Sequence, residues 1–159
     1  VDSKFSNISS DAIYFDFSNG KIENTEFQNI LNDALDFSGS KVFVKNIIAN
    51  NVRDKVISVG ENSNLELEKL DVNNSFIGIA NKDGSNLSLK NSNFRNVEIP
   101  LAGYLKKNFY ENSFMNIKNS NFINYQKKYI LSNKATIMLD GKKLSQNKKN
   151  KKILEIIYK

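Results

Sequence analysis

Two aspartates, Asp11 and Asp33, stand 22 residues apart in a chain of 159. If the chain returns to the same place at that interval, their carboxylates lie about 5 Å apart, one interstrand spacing. That separation suits the carboxylate pair of a retaining glycosidase. With backbone carbonyls it also suits a weak Ca²⁺ site, the one cofactor these residues suggest. It suits equally well two surface aspartates at a turn. Lys55 occupies the next position in phase, so no third carboxylate follows, and Lys55 can neutralise Asp33. Asp36 is the nearest further acid. The arginines are Arg53 and Arg95 alone, neither with an obvious carboxylate cluster one interval away. Histidine and cysteine are absent, which removes the usual general base, the commonest metal ligand and any disulfide. A second group of chemistry-bearing residues lies between Tyr104 and Phe114, namely Tyr104, Lys106, Lys107, Phe109 and Tyr110. Aromatic faces flanked by ammonium groups suit sugar rings, anionic polysaccharides or a protein surface.

The elements that would position these residues follow from an internal repeat, which is sought before secondary structure. Stepping by 22 from Ile13 lands on Leu35, Ile57, Ile79 and Leu101. One residue earlier lie Ala12, Ala34, Val56, Gly78 and Pro100, mostly small. A second series runs Phe5, Phe27, Ala49, Val72, Phe94, Phe122, and two residues beyond each sits Asn7, Asn29, Asn51, Asn74, Asn96 or Asn124. Within a repeat the local period is two, as in Val42 and Val44 or Leu65 and Leu67, which reads as short strands. Stacked parallel coils place one residue type in a column at one interstrand spacing, and asparagine amides in such a column can bond one another. The chain is therefore expected to be all-β, a right-handed parallel β-helix of about six coils. Ile57 should face its core, and Ser58 should point outward, where a charge costs little.

The asparagine series steps 22, 22, 23, 22 and 28. The last step marks an insertion, residues 104–114, which loops are suited to absorb. Coils are expected over residues 1–131, and a C-terminal cap with a lysine-rich tail over 132–159. Ala135 to Leu144 reads as a hairpin about an Asp140-Gly141 turn, covering the last open edge. Ile153 to Tyr158 is too apolar to float freely and should dock as a strand or a short helix.

The formal net charge is +6. Much of the excess lies in the tail after Gly141, whereas the coils mix lysine with acids, which argues for a solvated basic end and against a nucleic-acid partner. No apolar run is long enough to span a membrane. The chain opens at Val1 inside what looks like a truncated repeat, with no signal-peptide pattern. It is expected to be part of a longer extracellular or cell-surface protein whose targeting signal lies upstream.

The coils resemble those of right-handed parallel β-helix proteins, the pectate-lyase-like superfold, on the run Asn32-Asp-Ala-Leu-Asp-Phe-Ser-Gly-Ser40 and the turn Val59-Gly-Glu-Asn-Ser63. The stretch Ile99-Pro-Leu-Ala-Gly-Tyr-Leu-Lys-Lys107 is similar to bacterial surface proteins in which such a helix trails a CotH-type kinase domain. The superfold hosts lyases, hydrolases, epimerases, tailspikes and adhesins, so it implies a fold and leaves function open. The resemblance implies Ca²⁺ with an arginine base for the lyases and clustered aspartates for the hydrolases, and neither pattern is dense here. Two classes remain. The first is a non-catalytic module of a larger bacterial protein, binding polysaccharide or protein or serving as a rigid surface spacer. The second is a carbohydrate-active enzyme, lyase or hydrolase. Among the residues, the group in 104–114 is the expected ligand contact.

Overall fold

The computed structural model describes residues 2–158. Its strands are β1 (Ser3–Ile8), β2 (Ile13–Asp16), β3 (Asn19–Ile30), β4 (Leu35–Ser38), β5 (Lys41–Gly60), β6 (Asn64–Lys82), β7 (Asn86–Lys90), β8 (Asn93–Tyr104), β9 (Ser113–Lys118), β10 (Asn121–Ile123), β11 (Tyr129–Leu131), β12 (Ala135–Leu139) and β13 (Lys142–Lys143). One helix follows, α1 (Asn150–Ile157). Every strand pairing is parallel except the β12–β13 hairpin. The chain thus winds through about six coils of a β-solenoid.

β5 shows how one coil is made. Its 20 residues form one continuous strand that turns two corners, with a bulge between Val52 and Lys55. The corners fall at Asn46 (φ 54°) and Asn51 (φ 56°), both in the left-handed region that asparagine tolerates best among residues with a side chain. Residues 41–45 form a first face, 47–50 a second and 55–60 a third. The third corner is the turn at Glu61 and Asn62, again both at positive φ.

The expected columns are in register. Ile13 pairs with Leu35, Leu35 with Ile57, Ile57 with Ile79 and Ile79 with Leu101, and Tyr129 adds a sixth member. Leu35, Ile57, Ile79 and Leu101 are fully buried. The phenylalanine column holds likewise, and where two rings meet they stack, Phe5 on Phe27 at 5.4 Å and Phe94 on Phe122 at 5.2 Å. At the second corner Asn29 donates to Asn7, Asn51 to Asn29 and Asn74 to Asn51, at 3.0, 3.0 and 2.8 Å. Asn96 turns to Asn73 instead, at 2.8 Å. A second amide column stands at the first corner, with Asn46 donating to Asn24 and Asn119 to Asn91. Lys69 interrupts it and holds the same positive φ.

Ser58 differs from expectation. It points away from the core, as the alternation requires, yet it is only 1% exposed. Lys82, one coil on, lies back across the outer surface and donates to Ser58 Oγ at 2.7 Å. The outside of the third face is therefore itself an interior, and a charge there is not free of cost.

The C-terminal region also departs from the expected boundary. β12 pairs in parallel with β9, so the solenoid runs on to Leu139. The chain then reverses through Asp140 (φ 47°) and Gly141 (φ 80°), the two positive φ values of a type I′ turn. β13 returns along β12 and covers part of the last edge. The terminal apolar run is a helix, whose Ile153 and Ile157 fall one turn apart on one face. That face docks laterally, on Ile77, Ala80, Ile99, Ala102, Tyr104 and Ile130, rather than over the end of the last coil. Asn150 anchors it by accepting from Leu105 N at 2.9 Å and donating to Leu105 O at 2.7 Å.

Candidate functional site

An axial groove lies between the second corner and α1. Its rim is the amide column Asn29, Asn51, Asn74, Asn96. Its wall is formed by the residues two places further on, Leu31, Arg53, Phe76 and Glu98, and its volume is about 590 Å³. Arg53, Phe76 and Glu98 also line a second depression of about 510 Å³, which continues past Gln126 and Lys127 to Ile156 and Ile157 of α1. The two depressions adjoin along the solenoid, with Arg53, Phe76 and Glu98 as their shared wall. Asn29 and Asn51 each spend one N–H and one lone pair along the column, Asn74 spends one N–H there and Asn96 gives one to Asn73, so every rim asparagine keeps a second N–H and at least one lone pair for a ligand. The wall adds the half-buried Phe76 ring, the half-exposed Leu31 and charges of both signs.

Beside the helix lies a buried polar cluster. Lys55 Nζ donates to Asp33 Oδ1 at 3.1 Å and to Asp54 Oδ2 at 2.6 Å. Burial raises the Asp33 carboxyl to about 6 against the pull of Lys55. Burial also lowers the pKa of Lys82. Tyr104 and Tyr158 share a hydrogen bond of 2.7 Å between their hydroxyls. Desolvation holds Tyr104 well above the ordinary phenol range and pushes Tyr158 up to about 12, so both hydroxyls stay protonated at neutral pH. Lys106 Nζ sits 4.7 Å from the Tyr158 ring centre.

The expected ligand contacts in 104–114 are only partly displayed. Tyr104 is not in the loop at all. It ends β8, is fully buried, and packs under α1, so its ring offers no face to a ligand. Phe114 belongs to β9, which narrows the loop to 105–112. The loop folds onto the third corner. Lys107 pairs with Glu61, and the backbone N–H groups of Lys106 and Lys107 donate to Asp83 Oδ1 at 2.6 and 2.8 Å. Lys106 and Phe109 are exposed, Phe109 at 80%, and the half-buried Tyr110 leans on Phe109 with ring centres 4.6 Å apart.

Asp11 and Asp33 do stack, each accepting a backbone N–H from the following coil. Asp11 Oδ1 accepts the Asp33 N–H at 3.0 Å, and Asp33 Oδ1 accepts the Lys55 N–H at 3.1 Å as well as its ammonium. Each carboxylate completes the backbone bonding of the next coil, and the Lys55 ammonium neutralises Asp33. Among the described residues no group of three or more acidic side chains is placed to hold a metal ion. Arg95 does meet a carboxylate, that of Asp71 at 2.8 Å, a surface pair across one coil.

The groove wall was open to sequence reasoning and missed by it. The position two residues beyond each ladder asparagine reads Ser9, Leu31, Arg53, Phe76, Glu98, Gln126, a variable column beside an invariant one, as a recognition surface on a repeat scaffold requires.

A stack of parallel coils with amide columns at its corners and a lateral groove defines a right-handed β-helix protein. The family model for the right handed beta helix region matches residues 1–148, and the chain belongs to that family. No curated protein and no solved structure matches the chain.

Proposed function

We propose that this β-helix is a non-catalytic binding module of a larger extracellular bacterial protein, and that it holds a polysaccharide along the lateral groove. The observation that carries this reading is the row of asparagines, each with a spare donor and acceptor, running parallel to Leu31, Arg53, Phe76 and Glu98. Hydroxyl groups of an extended glycan meet both kinds of spare valence, and the Phe76 ring supplies an apolar face for a sugar. Lys106, Phe109 and Tyr110 at the third corner form a second, smaller contact for a protein surface or for an anionic glycan.

Glycan-array binding followed by affinity electrophoresis tests this. Phe76→Ala should weaken retention about tenfold, the equivalent of roughly 1.4 kcal/mol. A chain with the loop 105–112 shortened to a tight turn should keep most of its binding. Equal retention of Phe76→Ala and the unaltered chain would remove the groove from consideration, and loss confined to the shortened loop would transfer the role to Phe109 and Tyr110. Failure of every glycan to bind would favour the rigid-spacer role.

A further inference from the structure

Lys55 and Asp33 form the most deeply buried ion pair among the described residues, with side chains 5% and 8% exposed. The ammonium nitrogen lies 3.1 and 3.5 Å from the two oxygens of one carboxylate. A second carboxylate, Asp54, touches the same nitrogen at 2.6 Å. The Tyr158 ring, its centre 5.7 Å from that nitrogen, stands over the site from α1. The Lys55 N–H also donates to Asp33 Oδ1 at 3.1 Å, which fixes the carboxyl plane. A nitrogen nucleophile, an acyl carbon and a hydrogen-bond donor on the acyl oxygen are thus held together by the coil register, out of bulk water, with a proton relay, the partly exposed Asp54, at their edge.

We propose that Lys55 and Asp33 condense within the folded chain to form an isopeptide bond. The Lys55 nitrogen attacks the Asp33 carboxyl carbon and an N–C bond forms. The carbon–Oδ2 bond breaks, and that oxygen leaves as water with the two protons the ammonium gives up. Asp54 relays one of them. No oxidant, cofactor or second substrate enters the balance. The Lys55 N–H stabilises the negative charge that develops on Oδ1 during attack. Fixed proximity replaces a bimolecular encounter, and burial disfavours both charged groups relative to the neutral amide. Against that burial, Asp33 and Asp54 together hold the Lys55 pKa above its ordinary value, so the ammonium must first pass a proton to a carboxylate before it attacks. Burial already raises the Asp33 carboxyl toward its protonated, reactive form. The product would join two neighbouring coils covalently across the third face, in a chain that has no cysteine for a disulfide.

Intact mass spectrometry of the purified chain, followed by tryptic digestion, tests this. The folded protein should be one water lighter than its sequence mass. The digest should contain Ile22–Lys41 joined to Asp54–Lys69, with cleavage after Lys55 blocked. Lys55→Arg should keep the full mass, and Asp54→Asn should accumulate the joined peptide more slowly. Asp83-Gly84 and Asp140-Gly141 can also lose water by imide formation, so the joined peptide decides. A chain that stays at full mass after prolonged incubation overturns the proposal, as does loss of water without a link between these two peptides.

Discussion

Ile57→Asp is expected to leave the chain unfolded at room temperature. Ile57 is fully buried, with Leu35 one coil below and Ile79 one coil above in the same column. The substitution removes an aliphatic side chain whose burial is worth roughly 2–3 kcal/mol and places an unpaired carboxylate in the middle of the stack. The combined cost, on the order of 5 kcal/mol or more, is comparable to the whole stability of an ordinary domain. The fair control is Ile48→Asp, because Ile48 faces outward on the second face and is half exposed. Urea denaturation followed by circular dichroism should show a cooperative transition for Ile48→Asp and none for Ile57→Asp. Similar midpoints would mean that the assigned alternation of inward and outward residues is wrong.

Asn51→Val should cost about 3 kcal/mol although Asn51 is exposed, where substitutions usually cost little. Two sources add. The side chain donates to Asn29 at 3.0 Å and accepts from Asn74 at 2.8 Å, and both bonds disappear, each worth about 1 kcal/mol. The backbone also sits at φ 56°, where a β-branched residue is strained by a further 1–2 kcal/mol or so. Asn51→Gly separates the two terms, since glycine accepts the corner without strain and loses only the amides. Chemical denaturation should therefore rank the unaltered chain first, Asn51→Gly second and Asn51→Val last. If the glycine variant matched valine, backbone strain would play no part at these corners.

The columns were legible in the sequence because a coil must return each residue to the same side. Ile13, Leu35, Ile57, Ile79 and Leu101 share one interval and one chemistry, and the register reproduces them. The hairpin at Asp140-Gly141 was legible for a local reason, the backbone its turn demands. Features that depend on distant docking were not. Ser58 reads as a solvent-facing residue until Lys82 is laid over it. Tyr104 reads as a loop aromatic until α1 brings Tyr158 to it from 54 residues away. The first-corner amide column was hidden by Lys69, which adopts the same backbone without the amide. The pairing of Asp33 with Lys55 was anticipated as neutralisation. That Asp54 joins them was not, because Asp54 lies within the bulge between Val52 and Lys55 where the strict repeat is lost.

Everything proposed for the groove and for the Asp33–Lys55 pair rests on parallel coils in this one register, and paired cysteines test it most directly. The chain contains no cysteine of its own. Gln28 pairs with Asn50 and Asn50 with Asn73 on the outer side of the second face. Neighbouring parallel strands are about 4.8 Å apart, within the Cα separation a disulfide spans. Gln28→Cys with Asn50→Cys, and separately Asn50→Cys with Asn73→Cys, should each oxidise to an intramolecular disulfide and keep the cooperative unfolding transition. Gln28→Cys with Asn73→Cys, two coils apart, should not close. Efficient closure of the two-coil pair, or failure of both neighbouring pairs, would contradict the stacked parallel architecture.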